Sequence, residues 1–389
     1  MKKLLLASAV SVLFAAPATV LAQAKPPAVP TFDKVLEASG ISVGGYIDAG
    51  YTRADRNLET GFSTRVFDSQ NGSFALHQFG LTVAKQPKEG FGGLVNVTIG
   101  KDAQVIHSFP EPSVGINGPA GNLTSTFDIT QAYAQYATGP LTLIAGKFTT
   151  LHGTEVIAST GNTNISRSIL FGSVPFTHTG VRGTWALGDT INLIAGVNNG
   201  WDQLTDSNRA MTVELGATFN PIKPLNIAVS AYSGKETVPF ATPGSPDGTR
   251  TSVNAVVSYA ITDPLSVGLE LLGVSQDNFT SLVDGSTIKA KYSGVAGYVT
   301  YMFTPKFRGV VRAESFDDKD GLRFGFPAGT TSSTKYSEVT VTAAYLPADN
   351  FELRGEVRAD KATNAVFTDF NGATNKSLMT FALQGLYKF

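Results

Sequence analysis

Residues Met379-Thr380-Phe381-Ala382-Leu383-Gln384-Gly385-Leu386-Tyr387-Lys388-Phe389 alternate between two faces. Met379, Phe381, Leu383, Gly385, Tyr387 and Phe389 fall on one; Thr380, Ala382, Gln384 and Lys388 fall on the other, with only Leu386 out of place. A period of two is that of a β-strand. An aromatic at the tip of an unpaired strand invites aggregation. A strand that closes a barrel has no free edge, and its apolar face can meet lipid. The stretch predicts an all-β protein, a transmembrane antiparallel β-barrel of the outer membrane.

The stretch 351–361 carries the same alternation with more charge. Phe351, Leu353, Gly355, Val357 and Ala359 face one way; Glu352, Arg354, Glu356, Arg358 and Asp360 face the other. Five charges on one face of a core strand would be too costly to bury, so this face is expected to meet water while its opposite meets lipid. Strand 307–317 repeats the pattern, with Arg308, Arg312 and Glu314 opposite Phe307, Gly309, Val311 and Ala313.

Applied to the whole chain, this reading gives sixteen strands, at about 41–54, 75–86, 91–102, 128–137, 141–150, 178–186, 190–199, 211–220, 225–235, 250–261, 265–277, 290–303, 307–317, 336–346, 351–361 and 378–389. Each is near the roughly 10 residues that a tilted spanning strand needs. Connections alternate between short Pro-, Gly-, Asp- or Asn-bearing turns, such as Thr304-Pro305-Lys306, and long segments near 55–74, 103–127, 151–177, 200–210, 236–249, 278–289, 318–335 and 362–377. Short periplasmic turns and long extracellular loops are the asymmetry of outer-membrane barrels. Beside the seven short turns the apolar face shows Phe91, Tyr136, Trp185, Phe219, Tyr259, Phe303 with Phe307, and Tyr345 with Phe351. This predicts an aromatic girdle at headgroup depth, with Phe389 at the same level.

The start of the chain fits an exported protein. Lys2 and Lys3 precede a mostly apolar run to Leu21, with small residues around Ala22. Residues 1–22 are expected to be a signal peptide, 23–40 a periplasmic segment with a short helix near 31–39, and 41–389 the barrel. There is no cysteine, which excludes thiol catalysis and Cys-type metal sites, and the formal net charge of −1 is too balanced for a nucleic-acid binder. No cofactor or metal is expected.

Sixteen tilted strands enclose an aqueous channel, so diffusion of small hydrophilic solutes or ions is the expected function. Selectivity then depends on what narrows the lumen. The segment 151–177 is long, mixes Glu155, Asn162, Asn164 and Arg167, and carries apolar Ile165, Ile169, Leu170 and Phe171. It is expected to fold inward, with Glu155 facing a basic stripe of Arg312, Arg354 and Arg358 across a constriction. Parity also points Asp48, Arg182, Glu214, Glu270 and Glu338 into the lumen, and Arg167, Arg182, Arg308, Glu314 and Glu356 complete the expected lining. Lys147 shares parity with the apolar Leu141, Leu143 and Ala145, so either a bulge intervenes or it lies above the lipid belt.

Several stretches resemble the β-barrel porin-2 family of Gram-negative outer-membrane proteins. They are Val35-Leu36-Glu37-Ala38-Ser39-Gly40-Ile41 with Gly45-Tyr46-Ile47-Asp48, then Gln131-Ala132-Tyr133-Ala134-Gln135-Tyr136, Ala145-Gly146-Lys147-Phe148-Thr149-Thr150, Asn164-Ile165-Ser166-Arg167-Ser168, Pro175-Phe176-Thr177-His178-Thr179-Gly180-Val181-Arg182, and Gly196-Val197-Asn198-Asn199-Gly200-Trp201-Asp202. The resemblance implies an outer-membrane porin without specifying its solute, and it assigns no role to Arg167 or Arg182. By analogy with outer-membrane barrels, Phe389 looks like the signal read by the barrel-insertion machinery. Sixteen-stranded porins are commonly trimers, and Ala132, Ala134 and Ala145 offer small outward residues for a homotrimer.

Two other readings compete. An outer-membrane enzyme of phospholipase or protease type needs a base beside a nucleophile or activated water. His178, which starts a strand near Arg182, is the nearest of four histidines to that role, but no Gly-x-Ser-x-Gly or His-Glu-x-x-His is present. A scaffold that binds through its loops is the third reading, for which loops of mostly about 10 to 25 residues are modest.

Overall fold

The computed structural model describes residues 31–58, 64–108, 126–237, 247–326 and 333–389. The leader expected at 1–22 lies outside the described residues, as do parts of the long connections expected at 55–74, 103–127, 236–249 and 318–335.

Sixteen antiparallel strands close into a barrel: β1 (Ser42–Ala54), β2 (Ser73–Lys85), β3 (Gly90–Ile99), β4 (Phe127–Thr138), β5 (Leu141–Thr149), β6 (Thr177–Leu187), β7 (Ile191–Asn198), β8 (Thr212–Ile222), β9 (Leu225–Glu236), β10 (Gly248–Ala260), β11 (Leu265–Thr280), β12 (Thr287–Thr304), β13 (Phe307–Asp318), β14 (Thr334–Ala348), β15 (Phe351–Ala362) and β18 (Ser377–Lys388). Two-residue strands β16 (Phe367–Thr368) and β17 (Thr374–Asn375) make a hairpin inside the last long connection. Helix α1 (Phe32–Ser39) precedes the wall and ends on Gly40, whose φ of 67° is the left-handed conformation that glycine adopts without strain. A one-turn helix α2 (Ala103–Ile106) follows β3, which stops at Ile99 rather than at 102.

Strands neighbour one another in chain order, and β18 returns to β1. At that seam Ala49 pairs with Gly385 and Tyr51 with Leu383. Phe389 and Gly45 exchange two backbone hydrogen bonds of 2.9 Å, so pairing runs to the last residue. The Phe389 ring lies over Gly45, where a Cβ would sit 2.5 Å from it, and stacks on Phe79 at 6.1 Å.

The alternation read from sequence is the wall's two-sidedness. On β15, Leu353 and Val357 are exposed on the outer face, while Glu352, Arg354, Glu356, Arg358 and Asp360 are buried inside. Phe91, Tyr136, Trp185, Phe219, Phe303, Phe307 and Tyr345 are exposed on the outside beside the short turns, and Phe91–Tyr136 and Phe307–Tyr345 pack ring to ring at 4.8 Å. Leu386, out of place by polarity, keeps its parity and is buried on the inner face.

Lys147 is buried although it shares parity with the outward Leu143 and Ala145. Gly146 takes φ 135°, Lys147 and Phe148 are both buried, and the Lys147 ammonium reaches Asp128 at 3.3 Å. The β3–β4 register shifts between Asn96 and Val97 beside the same site. The β4–β5 and β5–β6 registers run unbroken through Gly146 and Lys147, so the ladder irregularity is in the neighbouring β3–β4 pair and not at Lys147 itself.

Candidate constriction in the barrel lumen

The segment between β5 and β6 turns into the barrel and crosses it. It leaves β5 at Thr150 and is gripped at once: Tyr232 Oη accepts from the Leu151 N–H (2.8 Å), and His152 bonds Ser230 and Ser252 through its two ring nitrogens (2.7 and 2.9 Å). Burial pushes the His152 imidazole down to about 3, so it sits there neutral. The Gly153 N–H donates to Asn254 and the Thr154 N–H to Glu270. Further along, Ser159 donates to Asp48 and its N–H to Gln78, on the opposite side of the lumen.

Two wall glutamates then hold the loop by paired backbone donors. Glu356 accepts from Ile165 N–H (2.6 Å) and Ser166 N–H (3.0 Å). Glu314 accepts from Ile169 N–H (2.8 Å) and Leu170 N–H (2.9 Å). The wall arginines take the complementary carbonyls. Arg312 donates to Ser166 O (2.7 Å), Arg354 to Asn164 O (3.2 Å) and Arg358 to Arg167 O (2.6 Å). A loop crossing a lumen has no ladder to satisfy its backbone, and alternating Arg and Glu side chains on β13 and β15 supply that function.

This arrangement explains how a fully charged strand face is buried. The sequence reading expects water on the Glu352–Asp360 face, because unpaired charges are costly to bury. In the structure the loop covers it, and its charges are ion-paired or, for Glu356, hydrogen-bonded by Ile165 N–H, Ser166 N–H and the Thr342 hydroxyl. Arg312 meets Glu338 (2.6 Å) and Glu155 (2.7 Å), Arg358 meets Asp360 (2.7 Å), and Arg354 meets Glu352 (2.7 Å). Arg308 also pairs with Glu352. Glu155 therefore contacts Arg312 directly, whereas Arg354 and Arg358 bond other partners. Glu155 also accepts from Ser168 N–H (2.6 Å), tying both arms of the loop together.

The other expected residues occupy distinct places. Arg167 stays within the loop, where it donates to Val156 O, Ile165 O and Ile157 O and lies 5.4 Å from the Phe67 ring centre. Arg182 forms a bidentate pair with Glu214 (2.6 and 3.0 Å) on the inner wall and stacks over Phe148 at 4.2 Å. His178 stacks on Tyr232 at 4.5 Å and bonds the Gly200 carbonyl through Nδ1. Among the described residues no carboxylate is bonded to it.

Some participants escape sequence reading. Arg65, in the first long connection, reaches inward to Asp68 (2.7 Å) and Asp360 (3.5 Å), and Phe67 packs on Phe171 and Phe176. Asp202, after β7, accepts from Phe176 N–H (2.7 Å) and Thr177 N–H (2.9 Å) where the loop rejoins the wall. Burial raises the Asp202 carboxyl to about 6. Both act through loop geometry, which has no period to read.

Two cavities flank the loop. One of about 360 Å³ lies toward the short turns and is lined by Asn162, Asn164, Asn226, Ser258 and Thr300. Another of about 280 Å³ lies against β3–β5 and is lined by Asn96, Thr98, Thr130, Gln131 and Thr149. Glu155 is common to both linings. The long-loop half of the β11–β15 side is instead filled by apolar packing of Ile169, Leu170, Phe279, Tyr292, Phe316 and Leu322.

A family model described as "Putative beta-barrel porin-2, OmpL-like" matches residues 40–389. Among solved structures, the outer membrane channel DcaP of Acinetobacter baumannii is 16% identical, with 90% of this chain and 97% of that chain covered at a TM-score of 0.61. OprB of Pseudomonas putida is 12% identical over 92% and 96%, at 0.59. The anion-selective porin of Comamonas acidovorans is 10% identical over 90% and 99%, at 0.57. At these identities the likeness is one of fold. No curated relative matches the sequence.

Proposed function

From the premise that this chain belongs to the beta-barrel porin-2, OmpL-like family and is a porin of the Gram-negative outer membrane, we propose that it passes small hydrophilic solutes and ions beside the inward loop 151–177. In this reading the narrowest charged point is Glu155. The observation that carries it is the double lining: Glu155 borders both the 360 Å³ and the 280 Å³ cavity, on either side of the loop. Asn and Thr side chains recur in both linings, beside Lys223 and Tyr298 in the larger cavity and beside Leu151, Val156, Phe171 and Phe176 in the smaller, so each offers polar contacts along a partly apolar wall.

The charge arrangement favours cations. Arg312 is fully buried behind the loop, while Glu155 borders the cavities. On the inner wall carboxylates such as Asp48, Glu270, Glu314 and Glu356 outnumber the cationic groups among the described residues. Wall arginines paired to carboxylates hold the loop and leave little positive field in the path. Reversal potentials across planar bilayers under a salt gradient test this. A potential of the sign set by the more mobile cation supports the reading; an anion-selective potential defeats it.

We also read the protein as non-catalytic. His178 is fully buried, stacked on Tyr232 and bonded through Nδ1 to the Gly200 carbonyl rather than to a carboxylate, so among the described residues it lacks the acidic partner that orients a catalytic histidine. A homotrimer is the assembly proposed, supported by exposed Ala134 and Ala145 on adjacent strands. Light scattering in detergent measures it directly.

A further inference from the structure

We propose that the membrane-facing side of β10–β13, at its long-loop end, binds a phosphorylated glycolipid of the outer leaflet. The outer face of β12 reads, toward the long loops, Phe303, Tyr301, Val299, Gly297, Val295, Ser293, Lys291 and Lys289. It passes from aromatic girdle through lipid-facing aliphatics to a hydroxyl and then two ammonium groups. That order matches the polarity gradient of the leaflet it spans, with cations at headgroup depth.

A groove of about 470 Å³ lies at this transition, with Val253 and Gly273 at its apolar end and Ser275, Lys291 and Lys319 at its polar end. Gly273 makes the hollow: a Cβ placed there would meet nothing within 4 Å, so the floor is a missing side chain on an outward strand position. Gly273 pairs with Val253 on one side and Ser293 on the other. The open position at Gly273 and the lipid-facing Val253 beside it suit the groove's lower end to an acyl chain.

Charge selects the headgroup. Lys289 is neutralised by Asp277 at 3.1 Å, and Lys335, two strands along, faces Asp317 at 3.7 Å. Asp317 lines the same groove with its carboxylate toward Lys335, and Asp320 accepts from the Lys291 backbone N–H. Yet the exposed Lys291 and Lys319 ammonium groups have no carboxylate within ion-pair distance among the described residues. With Lys289, the lining carries three cations to one carboxylate. Two unpaired ammonium groups, with the Ser275 and Ser293 hydroxyls beside them, suit a phosphate ester, which takes several donors and bears more than one charge. The acyl groove below fixes the ligand as an amphiphile, and the long-loop end fixes the leaflet as the outer one.

The test uses the full barrel in a zwitterionic detergent, with binding read by native mass spectrometry on titration with lipid A, its enzymatically dephosphorylated form, or phosphatidylglycerol. Single-channel conductance serves as the control for folding, since these residues face away from the lumen. Lipid A should bind best. Lys291→Glu with Lys319→Glu should weaken lipid A binding by about tenfold or more, and Gly273→Leu should weaken all three amphiphiles while conductance stays unchanged. Equal binding of lipid A to the wild type and the double variant, or phosphatidylglycerol binding as tightly as lipid A, would overturn the proposal.

Discussion

Glu155 and Arg312 meet at 2.7 Å inside the barrel, one from a loop and the other from the wall. Arg312 simultaneously holds Glu338 at 2.6 Å and the Ser166 carbonyl at 2.7 Å. The pair therefore joins the proposed transport path to the scaffold that positions Glu155.

Removing Arg312 should be expensive. Arg312→Ala leaves Glu155 buried without its cation and Glu338 with Arg358 alone at 3.8 Å, and losing one partner of a buried pair costs about 3–5 kcal/mol. Urea unfolding of the detergent-solubilised barrel should show a lower midpoint than wild type. Arg312→Ala paired with Glu155→Ala should recover part of the loss, because one of the stranded charges goes with it.

The carboxylate grips on the loop backbone should be separable from the barrel itself. Glu356→Gln replaces one of the two acceptors facing Ile165 and Ser166 with an amide N–H. Hydrogen exchange at those two amides should speed up by roughly tenfold, in line with the loss of one charge-assisted hydrogen bond. The β14–β15 ladder should keep its protection. Equal exchange in both proteins would mean that the glutamate does not restrain the loop.

Acid should loosen the hinge of the loop through His152. Its folded value is about 3, below the ordinary 6.5. As pH falls below 6.5 the unfolded chain takes up a proton that the folded site refuses, so stability is lost progressively from pH 6.5 downward. The slope approaches about 1.4 kcal/mol per pH unit for one such group. Unfolding midpoints between pH 7 and pH 4 should fall more steeply for wild type than for His152→Gln, which keeps hydrogen bonds available to Ser230 and Ser252 without titrating.

The seam between β1 and β18 predicts an assembly defect. A side chain at Gly45 collides with the Phe389 ring. Gly45→Val should therefore reduce the heat-modifiable, folded fraction in membranes, and Phe389→Ala should do so as well by removing the ring. Protein that does fold should conduct as wild type does, because both residues lie on the outer face.

Much of this fold is legible in the sequence because a membrane wall imposes a period of two on every strand. The 351–361 stretch alone shows both faces, and its bounds differ from those of β15 by one residue. Lys147 shows the limit of that logic: it is buried beside Phe148 next to Gly146 at φ 135°, and strict alternation cannot foresee two successive buried side chains. The lumen is harder to read. Charge on Arg354 and Arg358 suggests water, yet the structure uses both to hold the loop carbonyls of Asn164 and Arg167. Arg65 and Asp202 come from connections with no repeat, and only three-dimensional closure brings them to the loop.

The central claim is that solutes pass Glu155, and the absence of native cysteine allows a direct measurement. Glu155→Cys would carry a unique thiol. Single channels of this variant, exposed to a cationic methanethiosulfonate reagent, should lose conductance in discrete steps that dithiothreitol reverses. Currents unchanged by the reagent, with the thiol shown by mass to be modified, would contradict the account.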